Sequence, residues 1–383
     1  MAITANERDS RGRLLAGRPV GAAPVGLRGG EARGARRTEP AWFERIPAAY
    51  WVVGVLLVIM PLFASDFALY QVFGWAFILG MIALSLMFLA GYGGMVSIVQ
   101  MTVAALAGYM VAIFGTSAID TISLGWSWWI SIPLALVIAI LFGTITGALA
   151  VRTEGIYTIM ITLAIASAFF YFTRQNYVLF NGFSGFNGVL PPALFGVDWK
   201  SPVPFYYMTL FFAALSYLAV LYISRAPFGL ALQGVRDNPR RMAALGFNVN
   251  AHRIAAYAFS ALIAGIAGIL LTWQSGQVSP GTAAVGPVID ILVIAVIGGM
   301  RHPVGPFIGA FIYVLLKTFA IDVLVALGLD GDRFQLLVGI SFLLIVFFSP
   351  DGVLGLWQKL RDSRSRDPLT GRASETPRDG EGA

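Results

Sequence analysis

The sequence predicts an all-α fold, a polytopic transmembrane bundle of about eight to ten spans with short or broken helices in its core. Three observations carry this. Hydrophobic residues make up 57% of the 383 and charged residues only 12%, about half the charged share of an ordinary soluble domain. Apolar runs recur at close to the length, about 20 residues, that a helix needs to cross a bilayer. The 26 lysines and arginines collect on alternate loops. The long unbroken runs also exclude a transmembrane β-barrel, whose strands would alternate over about ten residues.

The elements follow in order. Residues 1–47 read as a disordered basic tail of Gly, Ala, Pro and nine arginines, too polar to bury a core. It lacks the compact apolar stretch and small-residue cleavage site of a secretory signal. A membrane domain is expected over 48–350, with segments near 48–65, 68–91, 95–115, 127–150, 156–174, 204–224, 253–274, 287–300, 303–320 and 334–349. The third and the last three are short, interrupted or Gly-flanked. Residues 351–383 read as a second disordered tail.

With the N-terminus placed in the cytoplasm and sides alternated, 22 of the 26 basic residues fall inside. Only Arg174, Lys200, Lys317 and Arg333 lie on or near the outer side. This obeys the positive-inside rule and puts both termini in the cytoplasm. Topology therefore accounts for the net charge of +6, and no nucleic-acid partner is expected. Trp126, Trp128 and Trp129 fit an interfacial aromatic belt. The outer loop 175–203, rich in Asn, Gly, aromatics and Pro-Pro, reads as an ordered cap.

Missing chemistry narrows the function. There is no cysteine, so disulfides and thiolate catalysis are excluded. No G-x-x-x-x-G-K-S/T occurs, so the chain carries no P-loop of its own. His252 and His302 stand alone, outside any zinc motif. A non-catalytic chain without metal or cofactor is expected. Asp290, in PVIDILVIAVIGG, is the main carboxylate inside a span. It is either an interfacial residue near a helix start or the acid of an ion-coupled secondary transporter. Lys317 and Asp322 are candidates for an outer pair, at a spacing poor for one helix face.

Glycine is plentiful at close-packing spacings. Gly143 with Gly147, Gly305 with Gly309, and the face of Ala261, Gly265 and Gly268 are expected to let helices approach, within this chain or against a partner. GYGGM (91–95) and IGGMRHPVGP (297–306) break helices at membrane depth, where irregular backbone needs protein or a water-filled path beside it. Gly93, Gly94, Gly298 and Gly299 are therefore candidates for hinges or pathway, with tight packing as the alternative.

The most polar internal stretch is RDNPRRMAALGFN (236–248), within the loop 225–252. Asn238 and Pro239 can open a helix, RRMAAL supplies strong helix formers, and Gly246 gives a C-terminal stop. Arg236, Arg240 and Arg241 offer charge to a soluble surface, and Met242, Ala243, Ala244 and Leu245 a small apolar face. An ordinary positive-inside loop with a surface helix fits the same residues.

Five segments in order resemble the inner-membrane permease subunits of branched-chain amino-acid ABC transporters, the LivM-type family. They are GYGGMVSIVQMTVAALAGYMVA (91–112), YTIMITLAIASAF (157–169), NGFSGFNGV (181–189), residues 224–270 with SRAPFG, ALQGVRDN and AALG, and IGGMRHPVGPFIGAFIYVLL (297–316). The resemblance implies half of a translocation pathway in a bacterial inner membrane, embedded in lipid. It implies three kinds of company: a second homologous permease, two cytoplasmic ATPase subunits, and a periplasmic or secreted binding protein that delivers a small amino acid or related solute. ATP hydrolysis would fall to the partners, and Arg236, Asn238 and Pro239–Gly246 would form the ATPase-coupling helix. Asn181, Gly182, Ser184, Gly185, Asn187 and Gly188 would offer a docking surface for the binding protein. Specificity would rest largely with that protein, and solute would pass between two permeases along small-residue faces. An ion-coupled secondary transporter is the alternative.

Overall fold

Nine of the ten expected segments are helical in the computed structural model, which describes residues 48–326 apart from 120, 154, 193–195, 197 and 301, together with residue 339. The tails 1–47 and 351–383, and the tenth segment apart from Gly339, lie outside the described residues. Compactness divides the chain after Gly54. Of the first unit only the opening turns of one helix are described, and the bundle belongs to the second, Val55–Ala383.

The membrane helices are α1 (Ala48–Ile59), α2 (Ala68–Tyr92), α3 (Gln100–Phe114), α4 (Trp128–Ala150) and α5 (Ile156–Gln175). After a four-residue α6 (Tyr177–Phe180) come α7 (Pro202–Arg225), α8 (Pro227–Asp237), α9 (Pro239–Ala244), α10 (Val249–Ser275), α11 (Val285–Gly298) and α12 (Gly305–Ala326). Among the described residues β structure is confined to β1 (Phe186–Asn187) and β2 (Gln277–Val278), paired antiparallel. Helices α2, α4, α5, α7 and α10 are long and apolar enough to cross a membrane, and α3, α11 and α12 add shorter apolar stretches. This is an all-α polytopic membrane bundle.

Burial sorts the helices into two layers. Within its most apolar stretch α2 is 83% buried and α10 67%, against 28% in each of α4, α5 and α7. Helices α2, α3 and α10 thus make the centre, and the other three turn most of their surface outward. On α4 the outward residues Val137, Leu141, Ile145 and Leu149 recur every fourth position, while Ala135, Ala139, Gly143, Gly147 and Ala150 are buried. Large apolar groups facing out and small ones facing in is the pattern expected of a helix in lipid.

Those small residues bring backbones together. A Cβ on Gly143 would sit 2.3 Å from that of Ala261, and one on Gly147 2.5 Å from Cβ of Tyr257. On the other side of α10, a Cβ on Gly268 would meet the Ala104 carbonyl oxygen of α3 at 2.0 Å. Gly305 and Gly309 press on the backbone of α11 in the same way. The expectation that small-residue faces line a passage between two permeases is therefore corrected. Helices of this same chain fill them, because backbone contact leaves no room for a path.

Polar side chains in the centre bond backbone carbonyls of neighbouring helices. Helix α2 opens and closes in π-turns, Ala68–Gly74 and Phe88–Tyr92, a geometry that misaligns carbonyls. Gln274 Nε2 donates to Tyr70 O at 2.6 Å, and Tyr70 Oη returns a bond to Gln274 O at 2.8 Å. Ser260 Oγ donates to Ser85 O at 2.8 Å. The third expected segment starts late: residues 93–99 are non-helical and mostly buried, and α3 begins at Gln100. Thr162 Oγ1 accepts from Ile98 N there at 3.3 Å, so protein supplies the cover that irregular backbone requires.

Candidate functional site

The polar loop folds into two helices where the sequence suggests one. Pro227 occupies the first turn of α8, where a missing N–H costs nothing, and α8 buries Ala231, Leu232 and Val235 on one side. Asn238 then breaks the chain and caps α9, its Oδ1 accepting from Arg241 N at 3.0 Å. Gly246 ends α9 at φ +90°. Gly246 N donates to Ala243 O at 3.0 Å and Phe247 N to Met242 O at 3.1 Å, a Schellman stop. Asn248 caps α10 by accepting from Ala251 N at 3.0 Å. His252 lies flat on Phe228, with ring centroids 5.7 Å apart, and so ties the start of α8 to the start of α10.

Side-chain directions divide the predicted coupling residues. Met242 turns back onto α8, where Gly234 makes room: a Cβ there would approach its Sδ to 2.8 Å. Arg240, Arg241, Ala243, Ala244 and Leu245 stand exposed, Leu245 at 67%. A cationic, partly apolar helix of six residues is thus held away from the bundle by caps at both ends. Asn238→Ala should cost α9 about 1 kcal/mol, the usual price of a lost N-cap. Faster amide hydrogen exchange across 239–245, with α10 unchanged, is the expected readout.

Arg236 joins this loop to the GYGGM break, which in turn meets the IGGM break at Met300. Its guanidinium donates to the carbonyl oxygen of Gly91 and pairs with Asp237 at 2.9 Å. Gly91 closes α2, and a cation at that free carbonyl also suits the helix dipole. Gly94 has φ +68°, and a Cβ on it would strike Arg236 Cγ at 2.6 Å. A Cβ on Gly91 would meet Met300 O at 2.6 Å. Of the four hinge candidates, Gly94 and Gly299 (φ +98°) adopt conformations that disfavour a side chain. Gly298 serves close packing, its Cβ position lying 1.9 Å from Gly305 O. Gly93 is buried and caps the last π-turn of α2.

The comparisons with known proteins bear on this arrangement. The family model described as the permease component of branched-chain amino acid transport systems matches residues 68–347. The chain belongs to that family. Its relatives include the high-affinity branched-chain amino acid transport system permease protein LivM of Escherichia coli K12, 24% identical over 71% of this chain. A probable branched-chain amino acid transport permease protein LivM of Methanocaldococcus jannaschii is 25% identical over 58% of this chain and 67% of its own. The ribose import permease protein RbsC of Haemophilus influenzae is 23% identical over 65% of this chain and 76% of its own. The chain spans 65% of the length of the Escherichia coli relative. No solved structure matches it.

On the opposite end of the bundle this permease carries an ordered cap. Asn176 Oδ1 accepts from Val178 N and Leu179 N to start α6. Asn181 takes the left-handed conformation at φ +55°, and its Nδ2 donates to Gly185 O at 2.7 Å. Gly185 lets β1 close on β2, since a Cβ there would lie 2.2 Å from Val278 O. Phe186 is wholly buried beneath. Gly182 and Gly185 are buried as well, so the proposed docking residues that face outward are Ser184, Asn187 and Gly188, beside an exposed Phe183. Arg174 lies over the Phe183 ring at 5.6 Å. The sequence places Arg174 on the outer side by charge alone, and a spacing of nine gives no local signal that it meets Phe183.

Proposed function

We propose that this permease forms one half of the translocation pathway of an ABC importer for a branched-chain amino acid or a related small solute in a bacterial inner membrane. It works beside a second permease, two cytoplasmic ATPase subunits and a binding protein on the outer side, with both of its termini in the cytoplasm. The observation that carries the reading is α9: a short, doubly capped, cationic helix that projects outward while α8 is tied to the end of α2 through Arg236 and to the start of α10 through Phe228 and His252. Such an element can be pushed by a soluble partner and pass the push to Gly91–Gly94 and Met300. The family's permease relatives support the same assignment. Gly93, Gly94, Gly298 and Gly299 are the positions at which that motion would be absorbed.

In this reading ATP is hydrolysed on the partners and the chain itself is a conduit. Purified chain alone, reconstituted in vesicles, is expected to show no uptake of leucine under a proton or sodium gradient, and ATP-driven uptake should appear only with the full set of subunits. The alternative, an ion-coupled secondary transporter working through Asp290, predicts the reverse. Gradient-driven uptake by the chain alone, lost in Asp290→Asn, would establish it in place of the importer.

A further inference from the structure

We propose that a cavity walled by α2, α3, α10, α11 and α12 is a subsite for the zwitterion of a small aliphatic α-amino acid, with Asp290 facing its ammonium and Lys317 its carboxylate. The cavity holds about 320 Å³, within the range of small-ligand pockets. Asp290 and Lys317 both line it, as does Tyr313, whose hydroxyl hydrogen-bonds the Asp290 carboxylate. Lys317 acts on Asp290 through space, and no direct ion pair joins them. Asp290 is half-buried and Lys317 exposed on a helix that belongs to the membrane bundle. Charges in a membrane bundle turn toward protein or water rather than lipid, and both of these line the cavity.

The chemistry of the lining selects the ligand class. A lone carboxylate would gather cations and a lone ammonium anions. One of each, held apart across a cavity instead of closing on each other, matches a molecule that carries both charges at neighbouring atoms. Trp75, Leu79, Met101 and Ile294 supply an apolar wall for an aliphatic side chain, and Thr272 and Ser275 also line the cavity. A sugar would leave both charges without a counter-charge, the unfavourable case for ionised groups out of bulk water. The inference rests on the importer reading and deepens it, because it gives the permease a discrimination of its own beyond that of a separate binding protein.

The test uses the assembled transporter in lipid nanodiscs, without its soluble binding protein, and radiolabelled leucine as the probe. Saturable binding is expected, with 4-methylpentanoate (no amine) and 3-methylbutylamine (no carboxylate) each competing at least tenfold more weakly than unlabelled leucine. Asp290→Asn and Lys317→Met should each weaken leucine binding at least tenfold, and Lys317→Arg should restore it. Undiminished binding in both charge-removing variants, equal competition by either single-charge analogue, or no saturable binding by the wild-type complex would each overturn the proposal. The analogue competition needs no variant, so it decides the matter even where a substitution prevents assembly. ATP-driven uptake by the complete system, measured separately with the binding protein present, reports on the importer reading alone.

Discussion

Reversing the charge of Arg240 and Arg241 together is expected to give an assembled transporter that hydrolyses ATP without moving solute. Both side chains stand exposed on α9, outside the packing that holds α9 to α8, so the substitution to Glu leaves Met242 and Gly234 in contact and the fold intact. What changes is the sign of the surface that a partner meets. Like charges brought together at an interface cost several kcal/mol, so solute uptake should fall by at least about tenfold. Uptake and ATP hydrolysis measured on one preparation, with Lys at both positions as the control that retains charge, give the readout. Uptake at wild-type rates in the Glu variant would remove α9 from the coupling role.

Gly268→Ala carries the largest expected effect on stability. The new methyl would lie 2.0 Å from the Ala104 carbonyl oxygen and 2.5 Å from its carbonyl carbon and Cα. These are backbone atoms of the buried helix α3, which cannot swing aside as a flexible side chain can. Relief requires α3 and α10 to separate along their whole contact, and the cost should reach about 3 kcal/mol, the upper end of overpacking penalties. A lower unfolding midpoint of the detergent-solubilised chain is the expected measurement. Gly286→Ala is the matched control, because a Cβ there meets nothing within 4 Å, and its midpoint should stay where the wild type's is.

Local chemistry made parts of this molecule legible and left others dark. Apolar run length placed nine helices within a few residues, since crossing a bilayer fixes length and composition together. The ends of α9 were legible for a related reason: Asn238, Pro239 and Gly246 act through the backbone of their own neighbours. By contrast, nothing local announces that Arg236 reaches Gly91, a residue 145 positions away, or that the GYGGM and IGGM breaks touch. Helix α8 reads as loop from sequence because Arg236 and Asp237 close it and Gly229 and Gly234 lower its propensity. Their lack of a side chain answers to Ile223, Ser224 and Met242, contacts that exist only after folding. Small-residue stripes announced close packing but not the partner, and within this chain the partner of each is a neighbouring helix. Asp290 was visible as an odd carboxylate, whereas the cavity it shares with Lys317 depends on five helices meeting.

Helix α10 runs unbroken for 27 residues, Val249–Ser275, between its cap Asn248 beside the α9 stop and Gly276, where β2 closes on the cap. At 1.5 Å per residue that is about 40 Å, enough to traverse the bilayer with no joint at which displacement is lost. Thermodynamic linkage makes such a strut symmetric: any change in affinity that one end imposes on the other is returned by the same factor. An occupant of the capped end that prefers one position of α10 therefore feels whatever grips the end beside α9, and tells it equally. In the proposed importer, sensing from outside and driving from inside would be a single equilibrium observed from opposite faces of the membrane.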